Sequence, residues 1–337
     1  MGWHKLSAAP VPTAAIRTPK QHGFVLIAVL GMIMLLSLIA SFVASYAEQR
    51  LNQTLELRSR WQQELDQQAT LATVQYMLAT HARTNGGWQF SANEILRVDG
   101  RPYYGIGNAL FAVQDEGSLL SLLDPDRERW QRLLYKQGLS ASQTEQFLDQ
   151  LQDYTDQDDL RRLNGATSTD YLQAGLEPPP QRLMVSPGQV FNLFNAQQWQ
   201  AVLHDILPLS TIHSGQLNNI NTAPQEVLAT LVGGEDSLWQ ALVEARSQQP
   251  FINLSDANQR LGQILPLDPF AVPTLPSPYV RLQLWLNKDD CRQATWIGLT
   301  LTPNSNRVPW DINYVFNYQQ PQPCRAPVAL AATPLAR

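Results

Sequence analysis

No residue from Phe24 to Ala47 carries a charge; the run reads FVLIAVLGMIMLLSLIASFVASYA. As a helix, its 24 positions reach roughly 36 Å at about 1.5 Å per residue, enough to cross a hydrocarbon core of about 30 Å. The run therefore predicts a membrane-inserted helix. Its flanks set the direction. Lys5, Arg17, Lys20, His4 and His22 precede it, and no acid occurs ahead of Glu48. That imbalance predicts a cytoplasmic N-terminus and an exported remainder.

An ordinary secretory signal has a shorter apolar core and a small-residue cleavage site after it. Here the apolar run passes into a polar segment with no turn signal. Neither Gly nor Pro occurs between Gly31 and Gly86, and these are the residues that most readily end a helix. Leu51, Leu55, Leu65, Ala69, Ala72, Tyr76 and Ala79 recur mostly at three- and four-residue spacing, which predicts an amphipathic stripe. The expectation is one long helix, apolar first and amphipathic after.

The chain has 337 residues, enough for two or three compact units, and 44% apolar content, enough for a core. Net charge is −5, and the first 23 residues hold three cations and no acid, so the remainder carries about −8. Such an acidic exported part is poorly suited to nucleic acid, because phosphate contacts supply most non-specific affinity. Nine tryptophans point to extensive packing or interface surface.

Beyond Gly86 the pattern is β-like. Trp88–Phe90, Ile95–Val98 and Tyr103–Val113 predict two or three strands, with Asp99-Gly100 as a hairpin turn. From Ser118 the spacing becomes helical, broken at Asp124-Pro125 and Gly138, with Ser140 or Ser142 as a cap. A loop through 172–188 follows, then helical patterning over 190–207. In the stretch Asn219-Ile220-Asn221-Thr222-Ala223-Pro224, Asn221 or Thr222 predicts a cap for the next helix, with Pro224 in its first turn. A further helix over 237–247 and a short one from Asn253 complete the helical stretch. After Pro276 the alternation returns at Tyr279–Leu286, Trp296–Thr302 and Ile312–Tyr318. Residues 121–159 and 221–256 share a helix, Gly turn, helix and acidic stretch, a degenerate internal repeat.

These features together resemble a type IV pilin-like protein. The junction Lys20-Gln21-His22-Gly23-Phe24 looks like a prepilin peptidase site, which implies cleavage after Gly23 and methylation of the new end at Phe24. Most pilins carry Glu at the fifth position after that site; here it is Ala28. In that family the buried carboxylate pairs with the terminal amine of the subunit ahead, and without such a partner it is costly in lipid. Its absence resembles the K-class minor pseudopilin of type II secretion systems. The segment from Asn219 to Phe251 resembles the signature of that class, and also helix-hairpin-helix modules. The implied fold is α+β: a pilin-like N-terminal helix packed on an antiparallel sheet, with an inserted all-helical (helix-hairpin-helix or SAM-like) domain. The implied division is a leader over 1–23, the pilin helix over 24–85, the first part of the sheet over 86–116, the insertion over 117–276, return strands over 277–320 and a Pro/Ala-rich tail over 321–337.

The resemblance implies a second signature in Asp153, Asp156, Asp158, Asp159, Asn164 and Asp170, an acidic stretch around Asn164-Gly165-Ala166. Clustered carboxylates and carbonyls suit Ca²⁺, which takes 6–8 oxygen ligands. The family's usual next residue is an acid, and here it is Thr167. A solvated acidic loop with Asx turns is the alternative. Cys291 and Cys324, the two cysteines, fall on the exported side and predict a disulfide, with two unpaired buried thiols as the alternative.

The function implied is structural. It is that of a minor subunit at the tip of the type II secretion pseudopilus, single-pass in the inner membrane with a periplasmic C-terminal part. Its partners would be I- and J-class minor subunits, the prepilin peptidase, the secretion platform and membrane lipid, with no nucleic acid. A minor pilin of a type IV pilus is the alternative within the same class. A membrane-anchored helix-hairpin-helix DNA-binding protein is another, but it needs cations at the hairpin, where Gly233-Gly234-Glu235-Asp236 is acidic. Catalysis is not expected: the chain has no H-E-x-x-H, G-x-S-x-G, Walker A or C-x-x-C motif. His81, His204 and His213 are scattered among non-acidic neighbours and read as surface or cap residues, and Gly105-x-Gly107 reads as part of a strand.

Overall fold

The computed structural model describes residues 22–335 apart from 92–93, 216–217, 234–235, 270–271, 287–291, 304, 320–325 and 331–334. The chain divides into two compact units, residues 1–60 and 61–337. The described part of the first unit is helical throughout and belongs to α1 (His22–Thr80). Residues 24–60 are exposed on every side. The most apolar window of this helix has a mean hydropathy of 2.7, so it is long and apolar enough to be a candidate single membrane anchor.

In the second unit, the last turns of α1 bury one face: Asp66, Thr70, Val74, Met77 and Leu78. This differs from the stripe expected from the sequence. Leu65 and Tyr76 are 60% and 63% exposed, and the helix is rotated so that the polar Asp66, Thr70 and Gln75 are buried. The reason is the loop after β4 (Asp99–Tyr104). Thr70 Oγ1 accepts from Ile106 N at 2.9 Å while donating to the Asp66 carbonyl, and Asp66 Oδ2 accepts from Asn108 N at 3.3 Å. Gly105-x-Gly107 is therefore no strand. It is a tight loop pressed on the helix, where a Cβ on Gly107 would stand 2.0 Å from Asp66 Oδ2 and one on Gly105 would stand 2.7 Å from Thr70 Oγ1.

After α1 the chain turns through Asn85-Gly86 between β1 (Ala82–Thr84) and β2 (Gly87–Ser91), which pair antiparallel; β3 (Glu94–Arg97) completes this small sheet. An Asn-Gly pair is the strongest short hairpin signal, and it lies here, not at Asp99-Gly100. Asp99 opens β4 and pairs with Gln114 of β5 (Leu110–Asp115).

The larger sheet is antiparallel and ordered β10-β9-β8-β5-β4, with β8 (Tyr279–Trp285), β9 (Gln293–Leu301) and β10 (Trp310–Gln319). The expected return of the chain to the sheet is thus seen directly: β8 pairs with β5 from Leu110↔Trp285 to Asp115↔Val280. Between these two strands lie α2 (Arg127–Lys136), α3 (Ala141–Thr155), α4 (Ser168–Gln173), α5 (Gln200–Ile206), α6 (Gln225–Leu231), α7 (Asp236–Gln248) and α8 (Leu254–Leu261). Short 3₁₀ turns and one parallel pair, β6 (Leu120–Ser121) with β7 (Ser210–Thr211), join them. Ser140 caps α3 in a reciprocal capping box with Gln143, as its spacing predicts.

Each face of the sheet has its own core. Val280, Leu282 and Leu284 pack with Val74, Met77 and Leu78 of α1, together with Trp88, Phe111 and Val113. On the other face Ala112, Trp285, Trp296, Tyr314 and Tyr318 join Trp130, Phe147 and Leu228 from the helices. The alternation along β8 is real, but its polar side is covered: Arg281 and Gln283 are both buried.

Gly107 has φ of +62° and no room for a Cβ. Gly107→Ala should therefore destabilise the full chain by about 1–3 kcal/mol. The measurement is the urea midpoint in detergent, and an unchanged midpoint would show that the loop does not depend on this approach to Asp66.

Candidate functional site

The residues that fasten the helical segments to the sheet form a buried polar junction at the end of β5. Asp115 and Glu116 stand side by side there, both fully buried. Asp115 Oδ1 accepts from Gly117 N at 3.0 Å, Ser277 N at 3.1 Å and Ser277 Oγ at 2.7 Å. Its Oδ2 accepts from Thr222 Oγ1 at 2.7 Å and Asn219 Nδ2 at 3.4 Å. Burial pushes the Asp115 carboxyl above the usual carboxylate range, against the pull of these donors.

Glu116 turns toward β8. Arg281 Nη2 lies 2.9 Å from Glu116 Oε1, and Arg281 Nε donates to the same oxygen at 3.0 Å. The guanidinium also donates to the Ser210 carbonyl at 2.5 Å, meets Tyr314 Oη at 3.0 Å and lies 4.4 Å above the Trp296 ring. Tyr314 donates to Glu116 in turn. Gly298 faces Tyr314 across the β9–β10 ladder, and a Cβ there would stand 2.1 Å from its ring; the glycine leaves the space that the tyrosine fills. Burial pushes the Glu116 carboxyl up, but Arg281 and the surrounding donors outweigh it and hold it below the usual range. His213, read from sequence as a surface or cap residue, instead sits 3.0 Å from Glu116 Oε2 and stacks on Tyr279. Its Nε2 is close to the carboxylate without hydrogen-bond alignment.

The Asn219–Pro224 segment lies in this junction. Asn221 holds Phe251 through both its backbone groups, donating to the carbonyl at 2.9 Å and accepting from the N–H at 2.8 Å, and it reaches the Thr274 carbonyl at 3.0 Å. Asn218 donates to the Leu119 carbonyl. The expected cap is corrected: α6 begins after Pro224 with no side-chain cap, because Thr222 is turned inward to Asp115. The sequence could not show that its partner lay 107 residues away. Arg246, on α7, is buried and donates to the Ile220 carbonyl at 2.9 Å, and burial pushes it down to about 10. Arg97 caps the C-terminal end of the same helix through the Arg246 and Ser247 carbonyls, and Arg101 pairs with Asp99 at 2.6 Å. These three arginines line a polar cleft of about 510 Å³. Each is engaged by protein oxygens, so a phosphate grip does not follow from them. Gly234 and Glu235 of the α6–α7 hairpin lie outside the described residues.

The six residues expected to ligate calcium are not gathered into one set. Asp153 and Asp156 meet at Arg162. Asp158 accepts from Leu160 N, and Asp159 from Ser168. Asn164 donates to Asp149, and Asp170 closes a capping box with Thr167. Among the described residues no three His, Cys, Asp or Glu side chains are grouped for a metal. With Arg162 between the two carboxylates, these residues do not fit a calcium ion. Gly23 and Phe24 fall in the first turn of α1. Cys291 and Cys324 lie outside the described residues.

Arg281→Met should leave the Glu116 charge buried without its partner, at a cost of about 3–5 kcal/mol, and Glu116→Leu added to it should recover most of the loss. Because the folded carboxyl of Glu116 lies below its unfolded value of about 4.3, its contribution is complete above that pH and is lost as pH falls through the folded value. Urea midpoints at neutral and acid pH should therefore fall less steeply in the double variant than in the wild type. Parallel slopes would contradict the assignment.

Two models of the family described as type II secretion system protein K match the chain, one over residues 110–206 and one over 219–269. The first runs from β5 to the end of α5, and the second from the junction asparagines to just past α8. No curated protein matches the chain. Among solved structures it is similar to a chain of the GspK-GspI-GspJ complex of the type 2 secretion system from enterotoxigenic Escherichia coli. That similarity has 14% identity, covers 81% of this chain and all of that one, and has a TM-score of 0.49. The two matched segments hold Asp115, Glu116, Asn219, Asn221 and Thr222 of the junction and the helices fastened to it, and over them the chain is similar to the type II secretion system protein K family.

Proposed function

We propose that the protein is the minor pseudopilin that begins the type II secretion pseudopilus, occupying its tip and helping to start its assembly. The observation that carries this reading is Ala28 within the uncharged, fully exposed stretch of α1. A carboxylate at this depth is useful only if an amine of a preceding subunit meets it, and unpaired it would cost about 2.5–3.5 kcal/mol on insertion scales. A subunit with nothing ahead of it does without the group. The helices placed between β5 and β8 support the same end position, since they are bulk that a repeating shaft subunit has no use for.

In this reading prepilin peptidase removes residues 1–23, Phe24 becomes the methylated end, the N-terminus faces the cytoplasm and residues beyond Ala47 face the periplasm. The role is structural and not catalytic. I- and J-class minor subunits are its neighbours, the inner-membrane platform its base, and Cys291 and Cys324 pair as a disulfide in the oxidising compartment.

Gly23→Ala should leave the protein in the membrane with its leader attached, and intact-mass measurement of wild-type membranes should find a chain starting at Phe24. A wild-type start at Met1 would end the processing claim. Thiol labelling of denatured, unreduced protein should find no free cysteine. Immunogold labelling of overproduced fibres should mark one end. Label along the shaft would overturn the tip assignment.

A further inference from the structure

The acidic loop between α3 and α4 holds carboxylates in an arrangement that requires a cation, and the cation present is an arginine. Asp153 leaves the last turn of α3 with its side chain 5% exposed. Its Oδ2 accepts from Arg162 N and from Ala166 N, each at 3.1 Å. Its Oδ1 is 2.5 Å from Arg162 Nη1, and the same nitrogen is 2.6 Å from Asp156 Oδ2. One guanidinium nitrogen thus bridges two carboxylates, while the backbone of its own residue holds the first of them. The Asn164-Gly165-Ala166 stretch wraps this point closely. A Cβ on Gly165 would stand 1.7 Å from Asp153 Oδ2, and Asn164 donates to Asp149 Oδ2 through both its backbone and side-chain nitrogens.

Two carboxylates that converge in a half-buried loop repel one another, and the loop opens unless a positive charge lies between them. A divalent ion meets that need from solution with 6–8 oxygens. Here Asp158, Asp159 and Asp170 are committed to backbone and hydroxyl donors of the loop itself. One oxygen, Asp156 Oδ1, is buried without a partner, so the closure rests on Arg162 and not on a full ring of donors. We infer that Arg162 supplies from within the chain the positive charge that the acidic loop needs, so that the loop closes without a divalent ion.

The test compares thermal melts of the full-length wild type and Arg162→Gln in detergent, each in EDTA and in millimolar CaCl₂. The wild-type midpoint should be the same in both buffers. The Arg162→Gln midpoint should fall by roughly 3–6 °C in EDTA, and Ca²⁺ should return part of the loss by binding the folded loop. A calcium-dependent rise in the wild type overturns the inference, as does an Arg162→Gln midpoint in EDTA equal to that of the wild type. If Arg162→Gln does not fold, calcium calorimetry of the wild type decides: no binding heat supports the internal cation, and stoichiometric binding that Asp153→Asn abolishes refutes it.

Discussion

The fold depends on one ion pair that no water reaches. Arg281 lies on the central strand of the sheet, and Glu116 lies where the chain leaves that sheet for the helices. Taking both out of water costs several kcal/mol per ion, a cost offset only by close geometry and further hydrogen bonds to the two ions. Here the guanidinium reaches the carboxylate, the Tyr314 hydroxyl and the Ser210 and Pro208 carbonyls, with the Trp296 face beneath it. The pair therefore fixes how β8, β10 and the 208–210 segment meet, because any other arrangement strands a charge.

The Asn-rich segment extends this logic to the helices. Asn218, Asn219, Asn221 and Thr222 are all buried, and each places a side-chain nitrogen or hydroxyl on a backbone or carboxylate oxygen elsewhere in the fold. Amides can do this because each carries both donors and an acceptor. That explains why the segment is polar although nothing about it touches solvent. Its side chains fasten one part of the fold to another.

Much of this architecture was legible. The long helix, the strands that resume at Tyr279 and the helices between them follow from periodicity and from Gly and Pro placement. What was hidden shares a physical cause, the burial of polar residues by partners distant in sequence. Thr222 reads as a helix cap until Asp115 is beside it, and Arg281 reads as the wet side of a strand until helices cover it. The inner face of α1 departs from its Leu/Ala stripe because the Gly105–Asn108 loop satisfies Asp66 and Thr70 inside. Gly86 reads as the end of the long helix, whereas with Asn85 it forms the turn between β1 and β2. The acidic loop shows the limit of a resemblance: the acids stand out in the sequence, but nothing in their spacing shows that Arg162 pairs with Asp153 and Asp156.

The pairing of β5 with β8 sets the order in which this protein can be built. Glu116 and Arg281 are separated by 165 positions, and the strands they flank cannot join until all the helices between them have been made. Contacts this far apart in sequence make folding slow, because the loop must be closed before any pairing offsets the loss of chain freedom. Until then the end of α1 and the edge of β5 wait without their cover, in a chain whose first helix already belongs to the membrane in the role proposed here. Tethering there holds the unfinished strand in two dimensions, near the neighbours with which it would assemble. An incomplete β5 edge is the natural place for premature pairing with another chain. One edge of β5 therefore stays open until β8 has been made, and the helices between them must leave that edge clear for the returning strand.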